Sequence, residues 1–158
     1  MTWRGTTTAP DRIFACLPYL LPLIEGLAFG RFIFEQFPAV TVLLVPLFPI
    51  IQLYQSIPFA GLIIFFVLLL AVVRNESINH FIRFNTMQAI LLDIILVVFQ
   101  LIFSLLGGVI GAGLVGQTIA NVVFLGIIAA IVFSVVQSAL GRYAEIPTIS
   151  EAVHMQVR

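Results

Sequence analysis

The chain has 158 residues, 61% hydrophobic and 9% charged, with zero formal net charge and a mean hydropathy of +1.19. Soluble domains carry roughly 25% charged residues, so an ordinary soluble domain is excluded, and the charge balance argues against a nucleic-acid partner. All seven cationic side chains are arginines and Cys16 is the single cysteine, which removes P-loop lysine and Schiff-base chemistry and any intrachain disulfide.

The opening MTWRGTTTAPDR lacks the apolar core of a cleaved signal peptide and is too short for a transit peptide. The first span is therefore expected to act as its own insertion signal. Crossing the hydrocarbon takes about 20 apolar residues, with a range of roughly 17–25. Four segments meet or approach that length: 13–30, 57–73, 87–106 and 114–140. Pro18 and Pro22 predict a bend in the first. Glu25 lies near its outer end and is expected to reach the outer headgroups, paired with Arg31. A further apolar stretch, 37–54, holds Pro38, Pro46 and Pro49, and its interior prolines remove two helix hydrogen bonds where lipid offers no replacement. It is expected to be a proline-broken helix, interfacial or re-entrant, with Gln52, Tyr54, Gln55 and Ser56 at headgroup level.

A polar hairpin, 74–86, joins the second and third spans. Within it Arg74 and Arg83 can meet lipid phosphates or helix ends, and Asn75 and Asn85 can cap an exit and an entry. His80, Phe81 and Phe84 offer an amphipathic surface. Together with Gln88 these residues form either a simple cationic anchor or a docking site for a peripheral subunit or a passing chain. The glycine-rich stretch from Gly107 to Gly116 predicts the outer turn between spans three and four, or a packing face through Gly107 and Gly111. Gly26 and Gly30 form a second pair that permits close helix contact. The tail, 143–158, is polar and expected to be helical after Pro147.

Arginine placement decides how many segments cross, because cytoplasmic flanks collect arginine and lysine. With four crossings and an inner N-terminus, Arg4, Arg12, Arg74, Arg83, Arg142 and Arg158 share the inner side and only Arg31 is outside. Counting 37–54 as a fifth crossing leaves at best five of the seven inside and two outside, a weaker bias. Four spans with both termini and the hairpin inside is the better account.

Polar atoms inside the spans are costly and mark helix faces turned to protein or water. At about 100° per residue, Thr86, Ala89, Asp93, Gln100 and Ser104 share one side of span three. That stripe is either interhelical glue or the wall of a water-accessible groove. Gln117 and Asn121, one turn apart on span four, are natural partners for it. Asp93 is expected near the inner side and Glu25 near the outer, which places them badly for a shared proton. No H-E-x-x-H, C-x-x-C or G-x-S-x-G pattern occurs. No catalytic residue, metal or cofactor is therefore expected; His154, the only histidine besides His80, lies in the tail.

The residues Arg74-Asn75-Glu76, His80-Phe81-Ile82-Arg83-Phe84-Asn85 and Gln88-Ala89-Ile90-Leu91-Leu92-Asp93 closely resemble the Tic-twenty (Tic20) family. The run from Arg12 to Pro22, with Pro46-Leu47-Phe48-Pro49 and Ser56-Ile57-Pro58-Phe59, is similar to that family's first span, loop and second span. The resemblance extends from about Arg12 to Leu140. It implies a four-span subunit of the protein translocon at the inner chloroplast envelope, acting in the passage of preproteins and among the candidates for lining their channel. Plastid members made in the cytosol carry a long targeting extension, so this chain resembles a cyanobacterial or plastid-encoded member.

The sequence thus predicts a single all-α membrane domain over 1–158, with four transmembrane helices and one proline-broken helix between the first two. Its expected function is a non-enzymatic subunit of a protein translocation or insertion complex. Its expected partners are lipid, other translocon subunits or further copies of itself, and a polypeptide substrate; its expected place is a cyanobacterial plasma or thylakoid membrane, or a plastid inner envelope. Two alternatives are an assembly or scaffold subunit of a photosynthetic membrane complex and a small proton-coupled transporter. The transporter would need Asp93 or Glu25 as its proton carrier, and no inverted repeat supports it.

Overall fold

The structure is a computed structural model describing residues 7–110 and 113–157. Arg4, Gly111 and Arg158, which entered the arginine and glycine arguments, lie outside the described residues. All regular elements among those described are helices: α1 (Ala9–Gln36), α2 (Pro38–Ser56), α3 (Ala60–Val73), α4 (His80–Ile110), α5 (Leu114–Ala139) and α6 (Ile149–Gln156).

Thr8 starts α1 with a reciprocal cap: its hydroxyl accepts the Asp11 N–H, the Asp11 carboxylate accepts the Thr8 N–H, and Pro10 occupies the first turn. Pro18 and Pro22 do not break the helix. The chain tightens into 3-10 turns at Leu17–Tyr19, which holds Pro18 at its start, and at Leu27–Gly30, and α1 continues through both.

Four helices are long and apolar enough to cross a bilayer, α1, α2, α4 and α5, whereas α3 is shorter. They are not the same four segments expected from the sequence. The stretch 37–54 does form a helix, because Pro38 and Pro49 fall in the first turns of two successive pieces. There the proline's missing N–H costs nothing. The first piece is 3-10 over Pro38–Leu47 with only Pro46 in its interior, and the second is α-helical over Phe48–Ser56. No residue of α2 is buried. The chain then turns at Pro58–Phe59, with Phe59 in the left-handed region at φ 57°, and α3 begins at Ala60. Its final turn is a π-helix, Leu68–Val73.

Contacts fix the directions. Along α1, Tyr19 meets Asn85, Gly26 meets Leu96 and Phe29 meets Phe103, so α1 and α4 run parallel. Cys16 meets Val135, Gly26 meets Ile127 and Gly30 meets Phe124, so α5 runs antiparallel to both. The Arg83 Nε donates to the Val73 carbonyl at 2.9 Å, while Gly61 faces Glu25, so α3 runs back along α4. The chain therefore makes four end-to-end passages, the second shared by α2 and α3. Arg12 donates to the Ala139 carbonyl, Asn79 to the Asp11 carboxylate, and the His80 ring pairs with the Tyr143 hydroxyl. The start of α1, the turn before α4 and the end of α5 thus lie at one end of the bundle.

The main core joins α1, α4 and α5 through Tyr19, Phe29, Leu92, Leu96, Phe124 and Ile127. At the hairpin end a second cluster gathers Val73, Phe84, Met87 and Ile90, and the tail helix α6 completes it with Val153 and Val157. At the other end α4 continues as helix through Gly107 and Gly108 to Ile110, and α5 includes Gly116, so helix covers much of the stretch expected to form the outer turn.

Candidate functional site

Near the middle of α1 and α4, Glu25 of α1, Tyr54 of α2, and Asp93 and Gln100 of α4 come to one place. The Tyr54 hydroxyl donates to Glu25 Oε1. Gln100 Nε2 reaches Glu25 Oε2 and the Glu25 carbonyl oxygen, each at 3.4 Å. Gly61 makes the arrangement possible: a Cβ there would strike the Tyr54 hydroxyl and Glu25 Oε1. Beside this group lies a cavity of about 350 Å³ lined by Glu25, Gly61, Phe65, Asp93 and Gln100, with Leu62, Ile94, Val97 and Val98 at its rim. Asp93 is only 4% exposed, and its Oδ1 has no hydrogen-bond partner.

Two expectations are corrected here. Glu25 does not pair with Arg31, which instead binds Glu35 one turn on at 2.9 Å. Glu25 turns inward because its face of α1 packs on α4. Nor do the two acids sit at opposite depths, since both line one cavity. Helix α1 continues to Gln36, beyond the expected end at Gly30, and α4 begins at His80, earlier than its apolar run suggested; this moves both acids toward mid-helix.

Of the stripe on α4, Thr86 and Ala89 are fully buried, Asp93 and Gln100 face the cavity, and Ser104 is exposed. Gln117 and Asn121 are half-buried on α5, and among the described residues neither hydrogen-bonds to the stripe. The Asn121 Oδ1 is buried without a partner.

A second polar cluster, toward the hairpin end, was not grouped by sequence reasoning. The Tyr19 hydroxyl donates to Asn85 Oδ1 at 2.8 Å, and Ser138 Oγ donates to the same oxygen at 2.8 Å. Gln88 Nε2 donates to Tyr19 and to Ser134 Oγ, both at 3.1 Å. These bonds tie α1, α4 and α5 together. The sequence signal was present as Ser134 and Ser138, four apart in an otherwise apolar helix.

Most of the hairpin candidates are interior. Phe81 and Phe84 pack edge-on against Tyr143 with ring centroids 5.2 and 5.0 Å apart, and Phe84 also meets His154 at 5.0 Å. Arg83 is buried and caps the end of α3, while Asn85 and Gln88 belong to the Tyr19 cluster. His80 is half-buried beside Tyr143. Arg74 and Asn75 remain exposed. Asn79 rather than Asn85 caps the entry to α4, its Oδ1 accepting the Phe81 N–H at 2.8 Å. Separately, an apolar groove of about 580 Å³ runs between α1 and α3 past Leu17, Leu21, Leu53, Ile64 and Ile82.

Comparison with known proteins bears on these features. A family model described as "Chloroplast import apparatus Tic20-like" matches residues 6–153. A Tic20 family protein of Synechocystis is 50% identical, covering 100% of this chain and 99% of its own length. Protein TIC 20-II, chloroplastic, of Arabidopsis thaliana is 40% identical over 96% of this chain and 74% of its own. The Tic20 family protein Ycf60 of Porphyra purpurea is 35% identical over 99% of this chain and 80% of its own.

Proposed function

The chain belongs to the Tic20-like family of the chloroplast import apparatus, and we propose on that basis that it is a non-enzymatic membrane subunit of a protein translocation or insertion complex. It is a multi-pass membrane protein, all-helical among its described residues, with four helices able to cross a bilayer. The observation that supports a path for polypeptide is the mid-bundle cavity, where Glu25, Asp93 and Gln100 present polar atoms at a depth lipid cannot solvate, with Tyr54 holding Glu25 in place. In this reading α3 and α4 flank the segment in transit, and Gln100 and Ser104 continue its polar contacts outward. Gln117 and Asn121 extend those contacts onto α5. The exposed turn at Arg74 and Asn75 meets partner subunits or the incoming chain.

Orientation follows from charge. Arg12, Arg74 and Arg142 cluster at the end shared by the hairpin and by both ends of the described chain, opposite Arg31, and that end is assigned to the cytoplasm or stroma. Four passages enclose little space, so a conducting channel would need further copies or other subunits.

A photo-crosslinker at Gln100 tests the reading with an arrested polypeptide in native membranes. The expected product joins the chain to the arrested substrate and vanishes once the substrate is released. A product with the same resident protein, whether or not substrate is present, would instead mark a scaffold.

A further inference from the structure

We infer that the cavity between α3 and α4 seats a basic side chain, arginine or lysine, of a polypeptide segment lying against the bundle. The inference rests on the translocation reading and names the substrate feature that this site recognises. Two carboxylates face the cavity, and among the described residues neither Glu25 nor Asp93 has an arginine or histidine ion-pair partner. Glu25 is held in place by Tyr54 and Gln100, and the clearance at Gly61 lets it sit against α3. Asp93 is more than nine-tenths buried, lines the same space, and keeps Oδ1 without any donor. Such an oxygen, at a depth where water is scarce, calls for a cation or a donor from outside the chain.

The size and the entrance select the kind of cation. At about 350 Å³ the cavity far exceeds the roughly 10–15 Å³ that one water occupies, so a bare monovalent ion would leave it mostly empty. A hard divalent ion wants six or more oxygens, and Gln100 already occupies the Glu25 carbonyl. The rim is apolar and exposed on the flank of the bundle: Leu62, Ile94, Val97 and Val98. A long aliphatic stem crossing an apolar rim to place a charged head between carboxylates is how arginine and lysine behave at such boundaries. An acidic side chain would be repelled by the same geometry, and a neutral donor could bond one oxygen but would leave the carboxylate charges uncompensated.

The test uses the full-length protein in membranes with a polypeptide arrested beside it. Photo-crosslinkers are placed at Val97, on the cavity rim, and at Leu53, in the separate apolar groove. Two substrates are compared that differ only by one arginine changed to glutamine. The expected result is a several-fold drop in the Val97 product with the glutamine substrate, while the Leu53 product is unchanged. Glu25→Gln with Asp93→Asn should cause the same drop for the arginine substrate, and Asp93→Asn alone, which keeps the shape, should cause part of it. Equal Val97 products from both substrates overturn the seat while leaving the translocation reading intact. A Val97 product with a resident subunit, present without substrate, also overturns it. Loss of the product at both positions would overturn the translocation reading and the seat together.

Discussion

Gly30 and Gly107 stand in long helices and predict opposite responses to an added methyl group. A Cβ on Gly30 would lie 2.7 Å from the Phe124 ring and 2.8 Å from that of Phe34, whereas one on Gly107 would meet nothing within 4 Å. Gly30→Ala should therefore destabilise the bundle by about 1–3 kcal/mol through overpacking, and Gly107→Ala should leave it unchanged or slightly firmer. Thermal melts of the two variants in mild detergent check this. In the buried polar cluster, Tyr19→Phe removes one donor, but Asn85 Oδ1 keeps the Ser138 hydroxyl and Gln88 keeps Ser134. Its expected cost is about 0.5–1.5 kcal/mol, toward the lower end usual for membrane hydrogen bonds. Asn85→Leu strips the acceptor from two hydroxyls at once and should cost more in the same melt. At this scale the sequence was partly legible. Asp93 marked itself, because a carboxylate in an apolar run has to face something polar. The setting of Glu25 did not, because its donor Tyr54 lies in a segment read as interfacial, and the arginine nearest in sequence looked the more natural partner.

Helix α2 shows that the position of a proline decides what it does. Three prolines in one segment suggested a broken helix, and the segment does divide into two helical pieces, each with a proline in its first turn, where it is tolerated, while Pro46 falls inside the first. Hydrophobic runs located the long helices but not their ends, since polar residues continue α4 back to His80 and α1 back to Ala9. The tail was legible as a helix after Pro147, but its docking was not stated. Its buried face is a four-residue repeat, Ile149, Val153 and Val157, and Val153 is fully buried among Val73, Phe84 and Met87. Val153→Asp would place a carboxylate in that apolar contact without a partner. The expected result is an undocked tail: limited proteolysis from the hairpin side should cut near Pro147 much faster than in the unaltered protein. Val153→Ile, which keeps the apolar contact, should retain protection.

For the molecule as a whole, charge placement and contacts converge on one arrangement by separate routes. Arginine counting used no coordinates, while the hydrogen bonds from Arg12 to Ala139 and from Asn79 to Asp11 use no charge rule. Both gather the first helix's start, the 74–79 turn and the end of α5 at one end. The contacts also explain how five apolar segments yield four passages, because α2 and α3 share one descent. The side of the membrane, however, depends on charge alone, and that dependence can be tested. In a Cys16-free background, a cysteine at Ser77 should react only with reagent supplied from the cytoplasmic side, and one at Gln36 only from the other. Replacing Arg74 and Arg142, both exposed, by glutamine while adding arginines at Glu35 and Gln36 removes most of the bias without touching a buried contact. Because each charge near a short flank pulls toward the cytoplasm, this variant should give a mixed population, with Ser77 labelled from both faces. If Ser77 stayed wholly cytoplasmic, orientation would be set by the order of insertion or by partner subunits, and the arginine cluster at that end would need another purpose.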